Sequence, residues 1–283
     1  MKIKLMVDSA TDMTKQEAES LGMEFLPINV MFGDEEFKDG ENLTASEFYT
    51  KLATCKELPK TSLINEFRYE EAFKNATADG SEVVVITLSS KLSGTYNAAV
   101  SAAEKFDGKV YVVDSLNACL GERLLCQYAQ KLLKEGKSAK EIKEKLDENK
   151  TRIRLYAIVD TLKYLKMGGR ISSTTALIGG LLSIKPIVGV IGGEVKTIGK
   201  GVGMRKAISI VNSMIEKDNE IDFDMPLGVF YSGNTDENCK LYKETSKKLW
   251  EGKMEDVPVY VMGSTIGTHI GPGSVGVAFF DKK

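Results

Sequence analysis

Apolar and polar positions follow one rhythm over the first half of the chain and another over the second. KIKLMVD (2–8), MEFLPINVMFG (23–33), SEVVVITL (81–88) and KVYVVDS (109–115) are short apolar runs between turn residues, the pattern of buried strands. Helical spacing lies between them. Thr14 with Glu17, Thr44 with Glu47, and Ser138 with Glu141 are capping-box pairs that open helices, the first closing on Gly22. Further helices are predicted from about Asn65 to Asn75, over AAVSAAEKF (98–106) and over NACLGERLLCQYAQKLLKEG (117–136). DEEFKDGEN (34–42) carries Asp-Gly turn chemistry and predicts a small hairpin, whereas LPKTS (58–62) reads as a loop. Strands alternating with helices predict a largely parallel, doubly wound sheet.

After residue 150 the rhythm changes. RIRLYAIV (152–159) predicts a strand, and DTLKYLKMGG (160–169) a short helix stopped by two glycines. TTALIGGLLSI (174–184) is uncharged and predicts a buried helix. KPIVGVIGGEVKTIG (185–199) alternates around Gly192-Gly193, a two-residue hairpin signal. MRKAISIVNSMIEKD (204–218) is an amphipathic helix. PLGVFYSG and VPVYVMGS are strands separated by one helix over 236–251. TIGTHIGPGSVGVAFFDK (265–282) reads as a Gly-rich loop running into a last strand. The expectation is therefore an α/β protein of two domains. Residues 1–152 form an α/β domain with a parallel sheet, and residues 153–283 an α/β domain with a mainly antiparallel sheet.

Composition narrows the function. The 283 residues are 42% hydrophobic with a formal charge of −2, enough for two cores and too balanced for a nucleic-acid surface. The chain start has no signal-peptide pattern and no apolar run approaches about 18 residues, so a cytoplasmic protein is expected. Cys55, Cys119, Cys126 and Cys239 form no C-x-x-C pair and read as reduced thiols. With His269 the single histidine, a His-rich metal site is not expected.

The candidate chemistry centres on TLSSKLSGTYNAA (87–99), five hydroxyls and a glycine between a strand and a helix. In open α/β sheets that junction is where ligands bind, and a helix N-terminus favours anions. Ser93, Gly94 and the Thr61-Ser62 pair are the candidate donors, with Gly94 letting backbone approach a ligand. Each also reads as a plain helix cap, as do Asp8-Ser9 and Asp114-Ser115. The phosphate-loop pattern G-x-x-x-x-G-K-[ST] is absent, as is G-x-G-x-x-G after the first-half strands, which disfavours a nucleotide. His269, among small residues and a proline, is a functional candidate. Ser93 with His269 and an aspartate leaves a serine ester or lipid hydrolase as the alternative, although the nucleophile-elbow pattern G-x-S-x-G is missing.

Seven stretches together resemble the DegV family of bacterial fatty-acid-binding proteins. They are VDSATDM at the N-terminus, KTS at 60–62, SSKLSGTYNAA at 89–99, VVDSLNACLGERLL at 112–125, LKYLKMGGRIS at 162–172, LLSIKPIV at 181–188 and IGTHIGPGSVGVAF at 266–279. The resemblance implies the two-domain fold, a long-chain fatty acid such as palmitate or oleate held between the domains, and a binding protein rather than an enzyme. It implies that Thr61, Ser93 and His269 hold the carboxylate, with no cofactor and no metal. It also implies a carrier in lipid transport or fatty acid metabolism that presents the carboxylate to a separate ATP-dependent fatty acid kinase. Two positions depart from the family pattern. Members often carry a histidine near Tyr231 and an arginine near Val202 that is linked to kinase docking; Arg205 and Lys206 lie beside the latter. Arg170, after a Gly pair, is a candidate for the site mouth or the partner, with a surface ion pair as its structural alternative.

Hydroxyls and a helix end suit this ligand physically, because a carboxylate leaving water needs several donors. The tail needs an apolar slot, for which TTALIGGLLSI, Ile28, Val30, Phe32 and Ile266 are candidate walls. Burial at about 0.8 kcal/mol per methylene gives a ~16-carbon chain roughly 10 kcal/mol before ordering costs.

Overall fold

The computed structural model describes residues 2–171 and 183–282. The chain begins with β1 (Ile3–Asp8), α1 (Lys15–Ser20), β2 (Met23–Leu26), β3 (Asn29–Phe32), β4 (Glu35–Lys38), α2 (Ala45–Thr54) and β5 (Lys60–Ser62). It continues through α3 (Glu66–Thr77), β6 (Glu82–Thr87), α4 (Thr95–Ala103), β7 (Val110–Asp114), α5 (Cys119–Lys134) and α6 (Ala139–Asn149). Strands β2-β1-β6-β7 form a sheet that is parallel throughout. The expected capping boxes form at Thr44 and Ser138, and Thr14 caps α1 by accepting from the Glu17 amide.

Two expectations fail here for one reason. MEFLPINVMFG is two strands in two sheets, because Pro27 has no amide proton for a ladder. The next amide, Ile28, donates instead to Ser9 Oγ at 3.0 Å. Freed by this break, β3 turns at Gly33-Asp34 into β4, giving the expected hairpin, and its other edge pairs with β5. The predicted loop LPKTS is therefore in part an edge strand, too short to show a period.

The second half contributes β8 (Ile153–Ile158), α7 (Lys163–Met167), β9 (Ile184–Ile191), β10 (Glu194–Val202), α8 (Met204–Asp218) and β11 (Leu227–Tyr231). Then follow α9 (Glu237–Thr245), α10 (Lys247–Trp250), β12 (Val259–Val261), α11 (Ser264–Ile270) and β13 (Val275–Phe280). Among the described residues they form one sheet, β10-β9-β8-β13-β11-β12, antiparallel except for β11 with β12. Gly192 and Gly193 take φ of 61° and 87° in the β9–β10 turn, as a two-residue hairpin demands. The single helix expected over 236–251 is interrupted at Ser246. Of TTALIGGLLSI, residues 174–182 lie outside the described residues.

The largest buried cluster joins the two halves. Leu5, Val84 and Ile86 of the parallel sheet meet Leu124 and Leu125 of α5, and these meet Leu155, Ala278 and Phe280 of the second sheet. The shared layer sets the carboxyl ends of β1, β6 and β7 opposite one face of β8 and β9. All four cysteines are free thiols, Cys119 and Cys126 buried together in this layer. Among the described residues no helix is long and apolar enough to cross a membrane.

Candidate functional site

Between the two sheets lies an apolar cavity of about 90 Å³. One wall is Leu155, Ala157, Val188 and Val190 from β8 and β9. Opposite stand Leu88 and Leu92 after β6, with Ile266 and Ile270 of α11. Its polar members are few: Ser93, Thr265, His269, Arg170 and the thiol of Cys119.

His269 sits on the last turn of a helix, not in the loop the sequence suggested. Sequence missed α11 because Gly263 at its start supplies no capping side chain. The cap comes from 225 positions away. Asp39 accepts from the Ser264 amide at 2.9 Å, the Ser264 hydroxyl at 2.6 Å and the Thr265 amide at 3.1 Å. Asp12 accepts from the Gly263 amide at 2.8 Å. Carboxylates at a helix N-terminus complement its dipole and its free amides. The sequence offered Asp39-Gly40 only as a turn signal, and nothing local marks it as a cap.

Held this way, His269 Nε2 lies 2.8 Å from Thr61 Oγ1 on β5. Its Nδ1 is buried with no hydrogen-bond partner among the described residues. Gly168 explains how the ring fits, since a Cβ there would collide with Nδ1. Burial, and secondarily the Arg170 charge, push the His269 pKa down to about 4, so the ring is neutral at pH 7. The Arg170 guanidinium donates to the carbonyls of Leu92 at 3.2 Å and Gly168 at 2.5 Å.

Ser93 is the hydroxyl of the 87–99 stretch that lines the cavity. Its Oγ lies 2.9 Å from Thr95 Oγ1 and accepts from the Thr95 amide at 3.3 Å. Thr95 Oγ1 in turn accepts from the Ile64 amide. The neighbouring hydroxyls hold the fold. Ser89 donates to the Gly193 carbonyl at 2.7 Å, fastening the β9–β10 turn over the strand ends. Asp8 accepts from the Ala10 and Leu88 amides, and Asp114 from the Ser90 and Leu116 amides. Burial pushes Asp8 and Asp12 up to about 7 and Glu122 well above the usual range.

The structure thus brings Ser93, His269 and Arg170 into the lining of one cavity, with Thr61 behind it, hydrogen-bonded to His269. Ser62 and Gly94 are exposed beside it. Arg205 is elsewhere, on the exposed face of α8 with Glu244 3.9 Å away. Of the predicted slot walls, Ile266 lines the cavity, whereas Ile28, Val30 and Phe32 pack under α2, α3 and α4. Pro27 is again the cause, since it sends these residues into the third sheet. A serine hydrolase gains nothing from this geometry, because the Nε2 of His269 is engaged by Thr61 and the oxygen of Ser93 by Thr95. Among the described residues no cluster of His, Cys, Asp or Glu could hold a metal ion.

The chain matches a family model described as "Uncharacterised protein, DegV family" over residues 2–282. It is 33% identical to the fatty acid-binding protein of Thermotoga maritima over 282 residues, 98% of this chain and 96% of that one. A DegV family protein from Thermus thermophilus, solved as a study of fatty acid binding, superposes with a TM-score of 0.88 at 28% identity, over 99% of this chain and 100% of that one. A stearic acid-binding protein from Eubacterium ventriosum gives 0.85 at 27% identity, over 100% and 99%. The chain belongs to the DegV family.

Proposed function

From membership of the DegV family, we propose that this protein binds a long-chain fatty acid, carboxylate toward Thr61, Ser93 and His269 and tail in the apolar cavity. The observation that carries the reading is His269, hydrogen-bonded to Thr61, in the lining of a cavity whose other side chains are mostly apolar. A neutral imidazole donating from Nε2 to Thr61 Oγ1 leaves the threonine proton to point at a carboxylate. Thr95 donating to Ser93 does the same for the Ser93 hydroxyl, and Arg170 adds positive charge. That relatives are described as fatty-acid-binding proteins supports a fatty acid as the ligand.

In this reading the protein is a carrier rather than an enzyme. It works in the cytoplasm, in lipid transport or fatty acid metabolism, and offers its carboxylate to a separate ATP-dependent kinase. The exposure of Ser62 and Gly94 beside the polar end supports the last point, because a second protein can approach there. Mass spectrometry of the purified protein, native and after solvent extraction, tests the reading. A co-purifying C16–C18 acid is expected, with retention weakened in Ser93→Ala. An empty protein that takes up neither palmitate nor oleate overturns it.

A further inference from the structure

A second cavity, of about 530 Å³, shares Leu155, Gly189 and Val190 with the first. The sharing has a cause in the sheet. Strands β8 and β9 pair only at Tyr156–Gly189, Ala157–Val188 and Ile158–Ile187. Beyond Gly189, β9 follows β10 toward the turn that Ser89 holds, while β8 starts at Ile153. The ladder stops there, leaving a gap in the pairing that Leu155, Gly189 and Val190 border from both cavities. Gly189 keeps the throat thin, since a Cβ there would stand 3.1 Å from the Leu155 carbonyl oxygen and 3.2 Å from Ile198 Cδ1.

Resting on the fatty-acid reading above, we propose that this gap is the chain-length gate: the methyl end of the tail passes it into the second cavity. Size supports this. The first cavity, at about 90 Å³, is far below the ~300–1,000 Å³ of ordinary ligand sites, whereas the second falls within that range. Charge supports it as well. Lys150 and Arg154 line the second cavity, but Lys150 Nζ is 2.7 Å from Asp147 and Arg154 is 3.1 Å from Asp281. With these cations paired, Ile198, Met214 and the half-exposed Ile191 offer the tail an apolar side of a chamber whose other side carries Asn117, Thr151 and Asp218.

The test is displacement of a fluorescent fatty acid by saturated acids from C10 to C20, with melting curves for folding. Wild-type affinity is expected to rise with length. Gly189→Val narrows the throat, and Ile191→Trp, at an exposed position that tolerates bulk, fills the chamber. Ile191→Trp, which touches only the second cavity, is expected to leave C12 unchanged and to weaken C18 by about tenfold, the effect of excluding roughly two methylenes, while Gly189→Val, which also borders the first cavity, is expected to weaken C18 more than C12. Equal changes at every length, or none in either variant, overturn the gate while wild-type binding keeps the site. A wild-type protein that binds no acid of any length overturns the site and the gate with it.

Discussion

Thr61→Val separates recognition of the carboxylate from burial of the tail. Valine keeps the branched shape and β-propensity that β5 needs, and removes only the hydroxyl 2.8 Å from His269 Nε2. The ring already has an unpartnered Nδ1, so the variant leaves both nitrogens without a partner among the described residues. A buried polar group that loses its partner costs about 1–3 kcal/mol. If that hydroxyl also donates to the ligand, the same range applies to binding, a weakening of about 5- to 150-fold. The assay is competition by palmitate and by hexadecanol, which share a tail and differ at the head. Palmitate is expected to weaken within that range and hexadecanol by no more than about twofold. An equal loss for both ligands refutes a carboxylate role for Thr61, and unchanged palmitate binding refutes the placement of the head group beside it.

Three further outcomes follow from the same geometry. Asp8 and Asp12, raised to about 7, hold protons that an unfolded chain would release, so the stability they contribute is lost as pH rises through 7. His269, lowered to about 4, acts oppositely and withdraws stability as pH falls below about 6.5. Glu122, raised by burial as well, acts in the same sense as the two aspartates, and three groups against one predict a melting temperature that falls from pH 6 to pH 8, with a smaller fall in Asp12→Asn; a flat profile contradicts the assignment. Asp39→Asn sets an amide NH₂ against a helix N–H at the start of α11, for a loss of about 1–3 kcal/mol, read as a lower melting temperature together with weaker palmitate binding. Gly168→Ala places a methyl against His269 Nδ1, and palmitate affinity is expected to fall about tenfold as the ring leaves Thr61; unchanged affinity would show that the ring position does not matter.

Local patterns in the sequence determined a great deal. Buried strands declare themselves as apolar runs, so β1, β6, β7 and β8 and the parallel character of the first sheet were legible, whereas its strand order was not. Capping boxes at Thr44 and Ser138 are contacts between residues three apart, and Gly192-Gly193 makes its turn from its own dihedral freedom. Thr61 and Ser93 were legible as hydroxyls before helices and His269 as the single histidine, but their shared carboxylate role came only with the family resemblance, and the sequence alone left Ser93 open as a nucleophile. The tertiary structure decided what depends on partners far away in the chain. α11 forms under a cap from Asp39, β5 exists because β3 offers it an edge, and both follow from Pro27 sending the chain out of the first sheet. The hydroxyls of 87–99 look alike in sequence, but only packing separates Ser89, which pins a hairpin, from Ser93, which faces the cavity. The gap between β8 and β9 has no sequence signature, because it arises where two strands stop pairing. Period and capping are short-range physics written within a few residues, whereas burial, the pKa of His269 and the shape of the cavity are set by neighbours that only the folded chain assembles.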